Sequence, residues 1–267
     1  MNRSSLLVRP EELETLSQQS SMRILDARAP QQYQRGHLPS AVNIAVSSVT
    51  ILGDGIRLVA PQEIIERLLS QAGVDPDMTV VIYSDRGGLH AAYLFWVLEY
   101  YGHPDVRLLD GGIEAFLRAG GSLTQEIPRV VSRTFQAHIV SDRRATGGWL
   151  LAHLDDPRVQ IVDNRSSEEY NGQDVYARRG GRIPSARSGP WDMVLNADLT
   201  FKRREALEAI YREIDLDPER TTVNYCQSGV RAAHAYFTQR LLGFPDPRVY
   251  DASWAEWGND DRFPIER

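Results

Sequence analysis

At 267 residues the chain has room for two ordinary domains, and 42% hydrophobic with 25% charged residues is the balance of a globular protein. A net charge of −6 excludes nucleic acid as the main partner, because surfaces that bind phosphate backbones are basic, and no apolar run approaches the ~20 residues of a membrane span. A single cysteine excludes an internal disulfide and a cysteine-rich metal site. The only apolar stretch in Met1 to Pro10 is Leu6-Leu7-Val8, too short for a secretion signal, so the expectation is a cytoplasmic protein without metal or other cofactor.

Taken in chain order, Met22–Asp26 predicts a strand. Pro61–Ala72 predicts a helix, with Pro at its start and Gly73 just past its end. Thr79–Tyr83 is a continuous apolar run suited to a buried parallel strand. His90–Tyr101 predicts a helix stopped by Gly102 and Pro104, and Val106–Leu109 a further strand. Gly120 to Ser141 suits a connector, part of which could supply the first strand of a second domain. Then the order repeats: strand Gln160–Asp163, helix Arg203–Ile214, strand Thr222–Tyr225, helix Val230–Leu242, strand Arg248–Tyr250. Such alternation predicts α/β architecture, with parallel sheets and helices on both faces.

The repetition extends to identities. Ile24-Leu25-Asp26-Ala27-Arg28 returns as Ile161-Val162-Asp163-Asn164-Arg165, and Tyr33 as Tyr170, both at an offset of 137. Gly36-His37-Leu38-Pro39-Ser40-Ala41 returns as Gly181-Arg182-Ile183-Pro184-Ser185-Ala186, offset 145. Tyr83 maps to Tyr225, and Gly102, Pro104, Asp105, Arg107 and Asp110 map to Gly243, Pro245, Asp246, Arg248 and Asp251. The chain therefore reads as a diverged duplication: domain 1–125, linker 126–140, domain 141–267. Between Tyr170 and Gly181 the second copy gains eight residues.

The copies differ where chemistry is expected. Cys226 opens the run Cys226-Gln227-Ser228-Gly229-Val230-Arg231, between a strand and a helix. A thiol on such a turn lies where backbone N–H groups and the positive end of the helix dipole converge, and both stabilise an anion. The alternative for a lone cysteine is a small buried hydrophobe, but the Gly and Arg beyond it have no obvious packing purpose. In the first copy Ser84 stands at this position, so that half has the loop without the nucleophile and is expected to support the fold and wall the cleft.

Asp-x-Arg, Gly-His-Leu-Pro-Ser-Ala, Leu109-Asp110-Gly111-Gly112 and Cys226-x-x-Gly229-x-Arg231, in this combination, resemble the rhodanese family. The tandem layout is similar to that of the two-domain sulfurtransferases. The resemblance implies two tandem rhodanese-like domains, an inactive first and an active second. It also implies a persulfide on Cys226 that carries sulfane sulfur from a donor such as thiosulfate to a thiophilic acceptor such as cyanide, with ping-pong kinetics.

The residues support that chemistry. A free cysteine is only a few per cent thiolate at neutral pH, so the amides of Gln227 to Arg231, the helix dipole and Arg231 are the expected sources of anion stabilisation. The donor is a small anion, which asks for a second cation. Arg179, just before the Gly-x-Ile-Pro turn, and Arg182, in the place of His37, are the candidates, with Arg178 nearby. Trp191, Trp254 and Trp257 could wall the cleft, although core packing is the commoner fate of each. Asp163 and Arg165 are expected to tie strand to loop, because Asp26 and Arg28 recur in the half without the cysteine.

Three rival readings remain at this level. In 3-mercaptopyruvate sulfurtransferases the loop is small and polar, as Gln227-Ser228 is. The histidine those enzymes draw from the first domain has no counterpart between His37 and His90, which favours thiosulfate. A phosphatase needs five residues between Cys and Arg, and here there are four. A persulfide carrier or redox sensor acting on a protein partner fits the lone thiol equally well. The duplication already supplies a two-domain interface, which is compatible with a monomer.

Overall fold

The computed structural model describes residues 6–18 and 21–267; the first five residues of the expected 1–125 domain lie outside them. Among the described residues no helix is long and apolar enough to cross a membrane. The chain forms two compact units. The first comprises residues up to Ile51 with Val59–Val140 and Leu195–Phe201; the second comprises Leu52–Leu58, Ser141–Val194 and Lys202–Arg267.

The first unit is a five-stranded sheet of β1 (Leu7–Val8), β2 (Met22–Asp26), β3 (Val42–Asn43), β6 (Thr79–Tyr83) and β7 (Val106–Leu109), in the order β1-β7-β6-β2-β3. Every pairing is parallel. A short hairpin, β4 (Thr50–Gly53) and β5 (Ile56–Val59), stands apart from this sheet, and most of it, Leu52–Leu58, belongs to the second unit. The helices are α1 (Pro10–Ser17), α2 (Pro30–Arg35), α3 (Gln62–Gln71), α4 (Leu89–Tyr100) and α5 (Gly112–Arg118). Ala91 to Leu98 of α4 are buried on every side, which is why that segment shows no amphipathic period.

The second unit repeats this plan. Strands β8 (Arg144–Ala145), β9 (Val159–Asp163), β10 (Arg187–Ser188), β11 (Thr221–Tyr225) and β12 (Pro247–Tyr250) lie in the order β10-β9-β11-β12-β8, again all parallel. Position for position this is the order of the first sheet. Its helices are α6 (Gly147–Ala152), α7 (Ser167–Tyr170), α8 (Arg204–Glu213), α9 (Val230–Leu242) and α10 (Ser253–Trp257). The core gathers Ile161, Val223, Tyr225, Tyr250, Trp254 and Trp257. Helix α9 is buried like α4, and its Gln239 pairs with Asn224 of β11: the two side-chain amides bond each other in both directions, at 2.7 and 3.0 Å.

The connector supplies no strand to the second unit, contrary to the expectation for Gly120 to Ser141; that unit's first strand begins at Arg144. Its N–H groups are engaged by the first unit instead. Phe135 donates to Ser70 Oγ, Ala137 to Glu66 Oε1, and His138 and Val140 to the carbonyls of Tyr101 and Tyr100. Backbone donors committed to side chains and carbonyls of the first unit in this way are not available to a sheet of the second.

Candidate active site

Cys226 follows the last residue of β11, a central strand, and precedes α9 by three residues. In parallel sheets the carboxyl ends of the strands are where chains turn and ligands bind. Gly229 makes the turn possible. Its φ is +83°, and a Cβ there would lie 2.9 Å from the carbonyl oxygen of Asp251, so a side chain would meet both backbone strain and a clash.

The thiol is buried, with the residue 1% exposed. Around it, Ser253 Oγ accepts the N–H of Cys226 and the N–H of Gly229, each at 3.1 Å, and donates to the carbonyl of Tyr250 at 2.7 Å. The carbonyls of Cys226 and Gln227 accept the N–H groups of Trp254 and Ala255. The loop is thus fastened to the start of α10. The first N–H groups of a helix have no intrahelical partner; at α9 those include Val230 and Arg231, beside the thiol. Val230, Gln227 and Ser228 are half-buried, and the Gln227 side chain donates to the carbonyl of Tyr176 at 3.2 Å, within the eight-residue gain of this half.

Arg231 is brought to the thiol, yet it does not stand alone. Its guanidinium forms a two-pronged bond with Glu169, at 2.6 and 2.9 Å. Burial alone would lower the Arg231 pKa; the bonds to Glu169, with the interactions of Arg231 with Cys226 and the Glu169 charge, outweigh it and raise the value. Burial pushes the Glu169 carboxyl up, and the bonds from Arg231 and Ser166 bring it below the usual glutamate value.

The other two arginines are used elsewhere. Arg179 donates to the carbonyls of Trp257 at 2.7 Å, Phe263 at 3.0 Å, Gly258 and Asp260. It closes the end of α10 and is not arrayed toward an incoming anion. Arg182 pairs with Glu266 and lies over the ring of Tyr170, 4.6 Å from its centre. Arg178 pairs with Asp261 and Asn259. In this structure these carbonyls and carboxylates engage the guanidiniums of Arg179 and Arg182, and both arginines fasten the chain. Trp254 and Trp257 are core residues, and Trp191 is half-buried with its ring edge against His234.

Asp163 and Arg165 form the expected tie. Arg165 binds both carboxylate oxygens, reaches the carbonyl of Gly181 at 2.7 Å, and lies 4.4 Å from the centre of the Trp254 ring. The Tyr225 hydroxyl donates to Asp163 at 2.6 Å and accepts the N–H of Ile183. Burial, with the Asp163 charge, raises the Tyr225 phenol well above its ordinary value, so it stays a donor. Asp26, Arg28, Tyr83, Gly36 and Leu38 reproduce the device in the first unit.

Two further residues complete the site, and the sequence reading does not single them out. Glu169 is the fourth residue of Ser166-Ser-Glu-Glu169, a capping box whose reciprocal bonds are present, and that spacing is a readable signal. Ser253 corresponds to Gly112 at the offset of 141 that joins Asp110 to Asp251. Both have left-handed backbones, φ +55° and +57°, so a serine here bears a strain that glycine avoids. At Gly112 a Cβ would lie 2.2 Å from the carbonyl oxygen of Ser84, so the two halves differ in how this turn packs.

The paired α/β sheets and the strand–Cys–helix loop define the rhodanese-like class. The rhodanese-like domain family matches residues 9–119 and again 146–260, and the chain belongs to that family. Among curated proteins it is 34% identical over 248 residues to the "Sulfur carrier protein TtuD" of Thermus thermophilus, covering 88% of this chain and 87% of that one. It is 36% identical over 247 residues to the "Thiosulfate sulfurtransferase" of Corynebacterium glutamicum, covering 88% and 81%. Among solved structures, the anaerobic ergothioneine biosynthesis enzyme from Chlorobium limicola matches with a TM-score of 0.90 at 24% identity, over 99% of this chain and 71% of that one, and shares the fold.

Proposed function

We propose that this protein is a sulfurtransferase that moves sulfane sulfur through a persulfide on Cys226, with thiosulfate as donor and a thiophile such as cyanide as acceptor. The observation that carries the reading is the placement of the chain's one cysteine at the mouth of a long helix, in a loop pinned by Ser253 and flanked by Arg231. The Cys226 thiolate attacks the outer sulfur of thiosulfate. A new S–S bond forms to Cys226, the S–S bond of the donor breaks, and sulfite leaves with the bonding pair. The terminal sulfur of the persulfide is then attacked by cyanide; its bond to Cys226 breaks, thiocyanate leaves, and the thiolate is restored. Both displacements pass through an anionic sulfur in the same place, so one cradle of N–H groups serves both.

The burial of the thiol suits a donor as small as thiosulfate. The name of the Corynebacterium relative supports the same donor, and that of the Thermus relative, a sulfur carrier protein, supports a second reading in which the Cys226 persulfide acts as a carrier. Steady-state kinetics test the enzyme reading. Varying thiosulfate against cyanide is expected to give the parallel double-reciprocal lines of a ping-pong cycle. Intersecting lines, or turnover unchanged in Cys226→Ser, contradict it.

A further inference from the structure

Glu169 is nearly buried, its side chain 6% exposed, and it sits at the start of the short helix α7. One carboxylate oxygen takes the N–H of Ser166 at 3.0 Å and an Arg231 nitrogen at 2.6 Å; the other takes the second Arg231 nitrogen at 2.9 Å. The remaining charged groups near it are already answered or exposed. Arg165 is held by Asp163, and Glu168 is exposed. Arg231 is therefore the partner that answers the charge of Glu169, and Arg231 is the second residue of α9, the helix that follows the Cys226 loop directly.

The duplication supplies a comparison within the same chain. At the 137 offset the counterpart of Glu169 is Gln32. Gln32 keeps the backbone half of the arrangement, accepting the N–H of Ala29 at 3.2 Å, and its amide donates to Asp85, next to Ser84, at 2.7 Å. The loop with the serine thus carries an acid held by a neutral amide. The loop with the cysteine carries a base held by a carboxylate. The position at the helix start is charged only in the half that bears the thiol.

We propose that Glu169 is a positioning residue for the sulfur-carrying loop: it fixes the Arg231 guanidinium at Cys226 while cancelling most of its net charge. Anion stabilisation at the thiol then comes mainly from the loop amides, with Arg231 contributing a directed N–H and little net field. This rests on the reading of Cys226 as the sulfur-carrying thiol. Thiolate nucleophilicity falls as its pKa falls, so an unbalanced cation that lowered the Cys226 pKa further would leave the thiolate a weaker attacker.

The test titrates the Cys226 thiolate by its ultraviolet absorbance, taken as the difference from Cys226→Ser; the chain has no other cysteine. It needs no sulfur donor, so it stands even if the transferase reading fails. Glu169→Gln leaves the cation unbalanced, and the thiolate is expected to form about one pH unit lower than in the unmodified protein. Arg231→Met leaves the carboxylate unbalanced, and the thiolate is expected about one unit higher. The double variant is expected to return near the unmodified profile, and it keeps the test available if Glu169→Gln alone fails to fold. Single variants that leave the profile in place or move it the same way, or a double variant displaced as far as Arg231→Met, overturn the proposal.

Discussion

Ser253 does two things at once: it accepts two N–H groups of the cysteine loop and holds a backbone conformation in which glycine would be more comfortable. The two roles are separable by substitution. Ser253→Ala removes the acceptor and keeps the strain, leaving buried N–H groups without a protein acceptor at a cost of about 1–3 kcal/mol. Ser253→Gly removes the acceptor but relieves about 1 kcal/mol of left-handed strain. Urea unfolding is expected to rank Ser253→Ala below Ser253→Gly, with sulfur transfer reduced roughly tenfold to a hundredfold in both. Equal stability of the two variants would show that the backbone at Ser253 is not strained. Ser253 has no signal in its own sequence context, because its role depends on β12 returning beside β11, a contact set by topology alone.

At the scale of elements, the strands are legible because parallel strands buried on both faces are continuous apolar runs. Thr79–Tyr83 is such a run, and Met22–Asp26 and Val106–Leu109 hold shorter ones interrupted by Arg23 and Arg107. The strands with two residues, such as β8 and β10, are too short to show a period, and the polarity of the connector looks the same whether it pairs or packs. The partners of Arg179 are not legible in the sequence for a related reason: the carbonyls it binds arrive from residues 257 to 263, about eighty positions downstream. The tie at the carboxyl end of β9 pairs two side chains that are both buried. Arg165→Met leaves Asp163 buried without its cation and is expected to destabilise by about 3–5 kcal/mol in denaturant unfolding. Acid acts on a different element. Burial lowers the His103 pKa from the ordinary 6.5, against opposing contributions from the Asp75 carbonyl and the Asp105 and Asp75 charges. The unfolded chain therefore takes up that proton first, and the stability contributed is full above about pH 6.5 and lost as pH falls toward the folded value. His103→Gln is expected to flatten the dependence of unfolding free energy on pH below 6.5; an unchanged slope would remove His103 as its cause.

For the whole molecule, duplication explains why two near-identical frames hold one thiol. The sheet order, the Asp–Arg–Tyr tie and the left-handed turn after the last central strand are common to both units. What differs includes the loop, where Ser84 stands for Cys226, Asp85 for Gln227 and His90 for Arg231, and the residues around it, where Gln32 stands for Glu169 and Gly112 for Ser253. A thiol alone should not convert one frame into the other. Ser84→Cys in a Cys226→Ser background is expected to remain without sulfur transfer, and turnover above background would show that the frame suffices without the loop. The central claim, that Cys226 itself carries the sulfur, is tested most directly by intact-protein mass spectrometry after incubation with thiosulfate. The account predicts a gain of one sulfur atom, about 32 Da, that cyanide removes and Cys226→Ser abolishes. An unchanged mass in the unmodified protein, or the same gain in Cys226→Ser, would contradict it.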